Sequence, residues 1–369
     1  MDNEDKYNKN IFMILTNGFN PDVRVYKEAK FLVQNGYNVT ILCWDRKCKN
    51  ELKIEENIDG INIKRFKIQS KPGSGMKQLI PFLKFAWQVR KYLKKQQYEY
   101  LHCHDFDGIL IGLFCKNKEK KRRIFDMHEI YDNYAYAKNI FFKNIFNAIL
   151  NRVDYIIYVN TIQVENIEQK QKLVYLPNYP IKELYQPINK NNYDKIRVNY
   201  IGALRDYKSL ICLSKIADNN EKYKIGLYGD GVCYEQLKME LRKSNVYLSG
   251  KYNGIKDSGE IYRNTDILYC SYNPDEKNWN SSYPVKLFEA IVTNTPIIVT
   301  KNTIAGKFVK KNEIGEEIIY NDKESLLKAI EKISENYNVY VEKIKDISDN
   351  YKWEYIVENL KKIYGGKDV

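Results

Sequence analysis

The 369-residue sequence contains no uninterrupted apolar run of 18 residues, so no membrane-spanning helix is expected. Its opening, MDNEDKYNKN, is polar and acidic and has neither the basic start nor the apolar stretch of a secretory signal. No Cys-x-x-Cys pair occurs. The seven cysteines, Cys43, Cys48, Cys103, Cys115, Cys212, Cys233 and Cys270, are odd in number, and several lie in apolar runs such as Ile267-Leu268-Tyr269-Cys270. They read as reduced, buried thiols of a cytoplasmic protein, not as a disulfide framework. Histidine is scarce, with three residues in the whole chain. Acidic residues are outnumbered, 47 against 60 Lys and Arg, for a net charge of +13.

What is present describes a folded enzyme-sized protein. Aromatics at 14% argue against disorder, and the length exceeds what one core of roughly 250–300 residues sustains. The charge is uneven: +10 over residues 1–185 and +3 over 186–369, densest between Lys64 and Arg123. A basic half suits a polyanionic partner such as nucleic acid, anionic lipid or a phosphorylated substrate. It also suits a Lys-rich surface that simply stays soluble.

Apolar strand-like runs alternate with amphipathic stretches. In the first half strands are expected at Ile11–Thr16, Val39–Trp44, Ile61–Phe66, Tyr100–His104, Arg123–Met127, Tyr155–Val159 and Leu173–Leu176, with helices at Val23–Gln34 and Phe82–Lys94. The pattern restarts with strands at Ile196–Gly202, Lys224–Gly229, Val246–Leu248, Ile267–Cys270 and Ile297–Thr300. Helices there fit Lys208–Ala217, Glu235–Lys243, Pro284–Thr293 and Lys323–Glu335, and a last one fits Lys352–Tyr364. Strands apolar on both faces and separated by helices imply parallel sheets covered on both sides. The expected architecture is α/β, two Rossmann-like doubly wound domains spanning 1–185 and 190–349. They face a central cleft, with residues 350–366 packing back on the first domain. Pro177–Pro180 and Asn189–Asn192 read as the hinge. Ligands in such folds bind beyond the carboxyl ends of the strands.

Chemistry-bearing residues collect at those ends. Gly18 follows the first strand and permits a tight turn beside a helix N-terminus that can receive a diphosphate. His102 and His104 close one strand and His128 follows another, in Asp126-Met127-His128-Glu129. A single histidine is more often structural than functional, but three at the same edge favour function. Imidazole suits contact with a sugar hydroxyl. Cys103 alternates with the two histidines and faces away, and without a carboxylate partner no zinc site is expected. Gly202-Ala203-Leu204-Arg205-Asp206-Tyr207-Lys208 opens a helix with cations suited to phosphate; a solvated helix start fits the same residues. Gly229-Asp230-Gly231 marks a sharp strand–helix junction, structural or functional. Ser281 or Ser282 is expected to cap the helix that begins near Pro284. Glu289 lies on its otherwise apolar face, where a ribose diol or an i, i+3 pair with Lys286 would satisfy it.

In this order the motifs resemble glycosyltransferase family 4, retaining enzymes of the GT-B fold. They are Asp22-Val23-Arg24-Val25 with Glu28, His102-Cys103-His104-Asp105, Asp126-Met127-His128-Glu129, Gly202–Lys208, Gly229-Asp230-Gly231 and Pro284-Val285-Lys286-Leu287-Phe288-Glu289-Ala290. The resemblance spans nearly the whole chain. It implies that Glu289 holds the donor ribose, His104 stands near the transferred sugar and Lys208 contacts the donor phosphates. Arg205 is offset from the family's arginine, and Ser281 stands where a first glutamate is expected, as in the P-x-K-L-F-E branch. The donor pocket it implies is lined by Gly18, Gly202, Arg205, Lys208, Ser281, Ser282, Tyr283, Pro284, Val285, Lys286, Leu287 and Glu289. No metal or cofactor is implied; the donor is a UDP- or GDP-linked sugar, and the acceptor is a lipid-linked glycan or polysaccharide of the cell surface. Alternatives on the same fold are a nucleotide-sugar epimerase or phosphorylase, or a catalytically silent scaffold. No nucleic-acid motif is present.

Two basic amphipathic stretches suit an anionic lipid surface, which would place the protein in the cytoplasm on the inner face of the plasma membrane. Met76–Lys95 carries Leu79, Phe82, Leu83, Phe85, Trp87 and Val89 beside Lys77, Lys84, Arg90 and Lys91. Ile140–Leu150 carries Phe141, Phe142, Ile145 and Phe146, with Lys138 and Lys143. A buried core face gives the same pattern.

Overall fold

The computed structural model describes residues 9–20, 22–48, 50–71, 75–115, 121–129, 131, 139–185, 195–217, 221–276 and 283–365. The chain forms two compact units. One comprises Met1–Pro177 with Val357–Val369, and the other Asn178–Ile356.

The first unit is built from β1 (Asn10–Leu15), α1 (Val23–Gln34), β2 (Asn38–Asp45), β3 (Glu55–Ile58), β4 (Ile61–Lys67), α2 (Leu79–Leu93), β5 (Tyr100–His104), α3 (Asp105–Phe114), β6 (Arg122–Met127), α4 (Ile140–Arg152), β7 (Tyr155–Tyr158) and β8 (Leu173–Tyr175). Its sheet order is β3-β4-β2-β1-β5-β6-β7-β8, parallel except for the β3–β4 hairpin. The order reverses between β1 and β5, which puts the switch point beside Gly18 and His104. Asp22 starts α1 by accepting a hydrogen bond from the Val25 amide at 3.3 Å. Strands β1, β2 and β5 bury nearly every residue, as both-sided cover requires. On one face α2, α3 and α4 pack a core that includes Phe85, Val89, Cys103, Ile109, Phe125 and Ile149.

Helix α2 resolves the ambiguity of its sequence, because it carries two apolar stripes. Phe85, Ala86, Val89 and Leu93 are buried in the core. Ile80, Leu83 and Trp87 lie one turn apart on another face, continued by Met76 in the turn before the helix, and the four are between 55% and 83% exposed. The Phe141 side chain and Lys138 lie outside the described residues.

The second unit contains β9 (Ile196–Ile201), α5 (Tyr207–Ser214), β10 (Tyr223–Tyr228), α6 (Tyr234–Glu240), β11 (Tyr247–Gly250), α7 (Ser258–Arg263), β12 (Ile267–Cys270), α8 (Val285–Val292), β13 (Ile297–Thr300), α9 (Ile304–Asn312), β14 (Gly315–Ile318), α10 (Lys323–Glu335) and α11 (Tyr337–Ser348). Its sheet is parallel in the order β11-β10-β9-β12-β13-β14, reversing between β9 and β12. Two apolar layers cover it, one around Leu210, Leu237 and Ile330 and the other around Tyr262, Leu287 and Val309.

The expected single helix over Lys352–Tyr364 is not formed. Short helical turns at Trp353–Ile356, Val357–Leu360 and Lys361–Tyr364 replace it, and the last two lie in the first unit. Their anchors are apolar and aromatic: Leu360, Ile363 and Tyr364 are buried. The Asn189–Asn192 part of the expected hinge lies outside the described residues.

Candidate functional site

In the first unit the ends of β5 and β6 meet α1 around one buried carboxylate. Asp126 receives two hydrogen bonds from Arg24, Nη2 to Oδ1 at 2.7 Å and Nε to Oδ2 at 3.1 Å. His104 Nδ1 lies 3.1 Å and His128 Nε2 2.8 Å from the same Oδ2. Glu28 pairs with Arg24 at 3.1 Å, and His102 Nε2 stands 3.6 Å from it. The rings of His102 and His104 stack at 4.4 Å. Tyr364 closes the group, its hydroxyl 2.8 Å from His102 Nδ1.

The charge states follow from burial and neighbours. Burial pushes Asp126 up, but Arg24, His128 and the histidine hydrogen bonds outweigh it and hold the carboxyl well below the usual range. Burial, aided by the charge of Asp126, brings Glu28 up to about 8. Burial and the neighbouring His102 lower His104 to about 3, so its ring is neutral at pH 7. Burial disfavours charge on His128 too, yet Asp105 and Asp126 on either side bring it up to about 9.

One sequence expectation changes here. The histidines do have carboxylate partners, since Glu28, His102, His104 and Asp126 offer ligand atoms within 4.8 Å of one another. Arg24 already engages both carboxylates, so a guanidinium supplies the countercharge a cation would bring. His104 is fully buried, and the histidine that reaches the surface is His128. Asp105, the first residue of α3, holds His128 Nδ1 at 3.3 Å from a left-handed backbone, φ 61°, uncommon for a residue other than glycine.

His128 makes the first unit sensitive to pH. A raised folded-state value contributes stability that is complete below the unfolded value near 6.5 and lost as pH rises through about 9. The melting temperature of the wild-type protein is expected to fall more steeply over that window than that of His128→Gln. Equal slopes would remove His128 from this role.

The loop after β1 differs from its expected form. Gly18 has ordinary space around it, and the residue with positive φ is Phe19, at 44°. Arg65, buried and paired with Glu56 at 2.5 Å, clamps the loop by donating to the carbonyls of Gly18 at 2.8 Å and Phe19 at 2.9 Å. No local signal marked Arg65, which lies on β4.

In the second unit β9 is followed by Gly202, whose φ of 134° favours glycine. The next turn packs on it: a Cβ at Gly229 would stand 1.9 Å from the Gly202 carbonyl oxygen, so Gly229 is structural. Arg205 and Lys208 are exposed around the start of α5, with no ion-pair partner among the described residues. Asp206 caps that helix through the Ser209 amide.

Glu289 does not pair with Lys286. Its Oε1 accepts from Tyr185 at 2.7 Å and its Oε2 from Tyr262 at 2.8 Å. Both tyrosines are buried, and neither was visible as a partner in the sequence. The N-cap of α8 is Pro284, not a serine, and no side chain caps it. Ser281 and Ser282 lie outside the described residues. Tyr283 and Val285 are partly exposed at the helix start, whereas Leu287 is fully buried in the core layer and packs against apolar neighbours.

Comparisons agree with this architecture. Residues 22–179 match the model of Glycosyltransferase Family 4, and residues 181–352 match that of Glycosyl transferases group 1. No curated protein matches the chain. Among solved structures, sucrose-phosphate synthase from Thermosynechococcus elongatus superposes with a TM-score of 0.73 at 15% identity, covering 97% of this chain and 98% of the other. Anabaena HepE in complex with UDP-glucose gives 0.71 at 12% identity, covering 97% and 100%. WaaG, a glycosyltransferase involved in lipopolysaccharide biosynthesis, gives 0.65 at 12% identity, covering 97% and 100%. The chain is a glycosyltransferase of the family 4 type, built as two Rossmann-like units of the GT-B class.

Proposed function

We propose that the enzyme is a retaining glycosyltransferase that moves a sugar from a nucleotide diphosphate to a lipid-linked or polysaccharide acceptor in cell-surface glycan synthesis. The second unit binds the donor and the first the acceptor. Glu289 supports this reading best. Its carboxylate is oriented by two tyrosine hydroxyls, and each oxygen keeps a lone pair for a ribose hydroxyl. Gly202, Tyr283, Pro284 and Val285 line the pocket, and Arg205 and Lys208 meet the phosphates. UDP and GDP are the expected nucleotides; the complex of HepE with UDP-glucose favours UDP by similarity.

As the sugar–phosphate bond breaks, the diphosphate takes the electron pair, and these cations and nearby helix N-termini neutralise it. The acceptor hydroxyl attacks the anomeric carbon on the face the diphosphate leaves and gives its proton to a phosphate oxygen. No enzyme carboxylate serves as nucleophile. His104 stands near the transferred sugar, with its Nε2 without a hydrogen-bond partner among the described residues, while its Nδ1 side positions Asp126 and His128.

A thermal-shift panel of UDP- and GDP-sugars tests the donor assignment. One nucleotide class is expected to raise the melting temperature by mass action, with a smaller rise in Lys208→Ala. Absence of any shift across the panel contradicts the assignment.

The exposed stripe of Met76, Ile80, Leu83 and Trp87 supports attachment to an anionic membrane, at the cytoplasmic face of the plasma membrane. Lys77, Lys84, Arg90 and Lys91 flank it, and Lys91 Nζ lies 5.2 Å over the Trp87 ring. Flotation with anionic liposomes is expected at low salt and lost when Ile80, Leu83 and Trp87 are all replaced by serine. Failure of the wild-type protein to float at low salt contradicts it.

A further inference from the structure

The strand order of the second sheet reverses between β9 and β12, which opens a crevice at their carboxyl ends. Gly202 borders it from β9, and Ser271 and Tyr272 follow β12. Into the crevice α8 sends Lys286. This lysine is only 8% exposed, and its Nζ has no hydrogen-bond partner among the described residues. The ammonium lies 3.6 Å from the centroid of the Tyr200 ring and 5.3 Å from that of Tyr272. A Cβ on Gly202 would come within 3.0 Å of it, so the missing side chain is the space the ammonium uses.

A buried cation is costly unless something pairs it. Facing aromatic rings compensate in part. Burial brings Lys286 down to about 8, which leaves it mostly charged at pH 7. The neighbouring Cys270 thiol is pushed up to about 11 by burial and stays neutral. Glu289 is held by two tyrosines. The nearby first turn of α8 carries no side-chain cap. Glu289 acts on the Lys286 ammonium through space, but no acceptor among the described residues hydrogen-bonds it.

We propose that Lys286 is the inner cation of the donor pocket and receives an anionic phosphate oxygen of the nucleotide diphosphate at the β9–β12 switch point. The assignment rests on the donor reading given above. It separates Lys286 from Arg205 and Lys208, which stand in solvent. A charge held out of water acts on the phosphate with less screening than an exposed one.

Equilibrium binding of UDP, GDP and ADP, with uridine, guanosine and adenosine, to the full-length protein and to Lys286→Met tests it. The diphosphate that binds the wild-type protein is expected to lose at least about thirtyfold in affinity. The matching nucleoside should change by less than about threefold, within ~0.7 kcal/mol. The ligand-free melting temperature should hold or rise, since an unpaired buried charge has been removed. Lys286→Gln carries the same comparison if the methionine variant does not fold. Unchanged diphosphate affinity in a folded variant overturns the proposal, and so does an equal loss for nucleoside and diphosphate. If the wild-type protein binds none of the six, the donor reading itself fails.

Discussion

Asp126→Ala is expected to destabilise the first unit by about 3–5 kcal/mol, the usual cost of stripping one partner from a buried ion network. Asp126 is the shared acceptor for Arg24, His104 and His128, three groups drawn from α1, β5 and the segment after β6. Without it the Arg24 guanidinium keeps, among the described residues, Glu28 and the Leu176 carbonyl, at 3.1 and 3.0 Å. Glu28, freed from its repulsive neighbour, then ionises more readily, which returns a part of the loss. For a unit of this size the melting transition should fall by roughly 6–20 °C, at about 2–4 °C per kcal/mol. Thermal unfolding followed by circular dichroism checks this. Asp126→Asn, which still accepts from Arg24 but carries no charge, should fall between alanine and wild type. A transition in the alanine variant within 2 °C of wild type would show that the network is not what holds these elements.

Glu289→Ala is expected to lower donor binding or turnover at least about tenfold, equivalent to ~1.4 kcal/mol. Stability suffers as well, because the buried hydroxyls of Tyr185 and Tyr262 lose their acceptor. Each buried, unpaired hydroxyl costs about 1–3 kcal/mol. The two effects separate in Glu289→Gln. An amide oxygen still accepts from one tyrosine and the amide nitrogen donates to the other, so the fold recovers. A ribose diol that donates two hydrogen bonds finds one acceptor fewer, so the kinetic defect persists. Steady-state kinetics alongside melting curves read both. Full activity in the glutamine variant would limit Glu289 to packing.

Much of the scaffold was legible because its strands are buried on both faces. Tyr100–His104, Ile267–Cys270 and Ile297–Thr300 occupy the residues their apolar runs indicate. Strands β3 and β14 escaped notice. Their sequences, Glu-Glu-Asn-Ile and Gly-Glu-Glu-Ile, sit at sheet edges where one side meets solvent, so hydrophobic periodicity fades. A turn signal did exist for β3: Asp59-Gly60 joins it to β4 with φ of 50° and 83°, the two-residue geometry that favours this pair.

The site was only half legible. Histidines at strand ends are visible because the ends can be read from the pattern. Their partners are not, since Arg24 and Asp126 lie 102 residues apart and meet only when β1, β5 and β6 align. The same holds for Glu289, whose tyrosine partners come from 104 and 27 residues away. Lys286 looked like an i, i+3 partner of Glu289. The chain instead directs it across the sheet to the Tyr200 ring, a choice set by the glycine at 202.

The central claim is that the second unit grips a nucleotide diphosphate where β9 and β12 diverge. A crystal structure of the enzyme with the nucleotide chosen by the thermal-shift panel tests it most directly. The ribose hydroxyls should stand about 2.6–3.2 Å from Glu289, ordinary hydrogen-bond reach, with a phosphate oxygen beside Lys286 and Gly202. A nucleotide found away from that crevice, with Glu289 touching only its two tyrosines, would contradict the account.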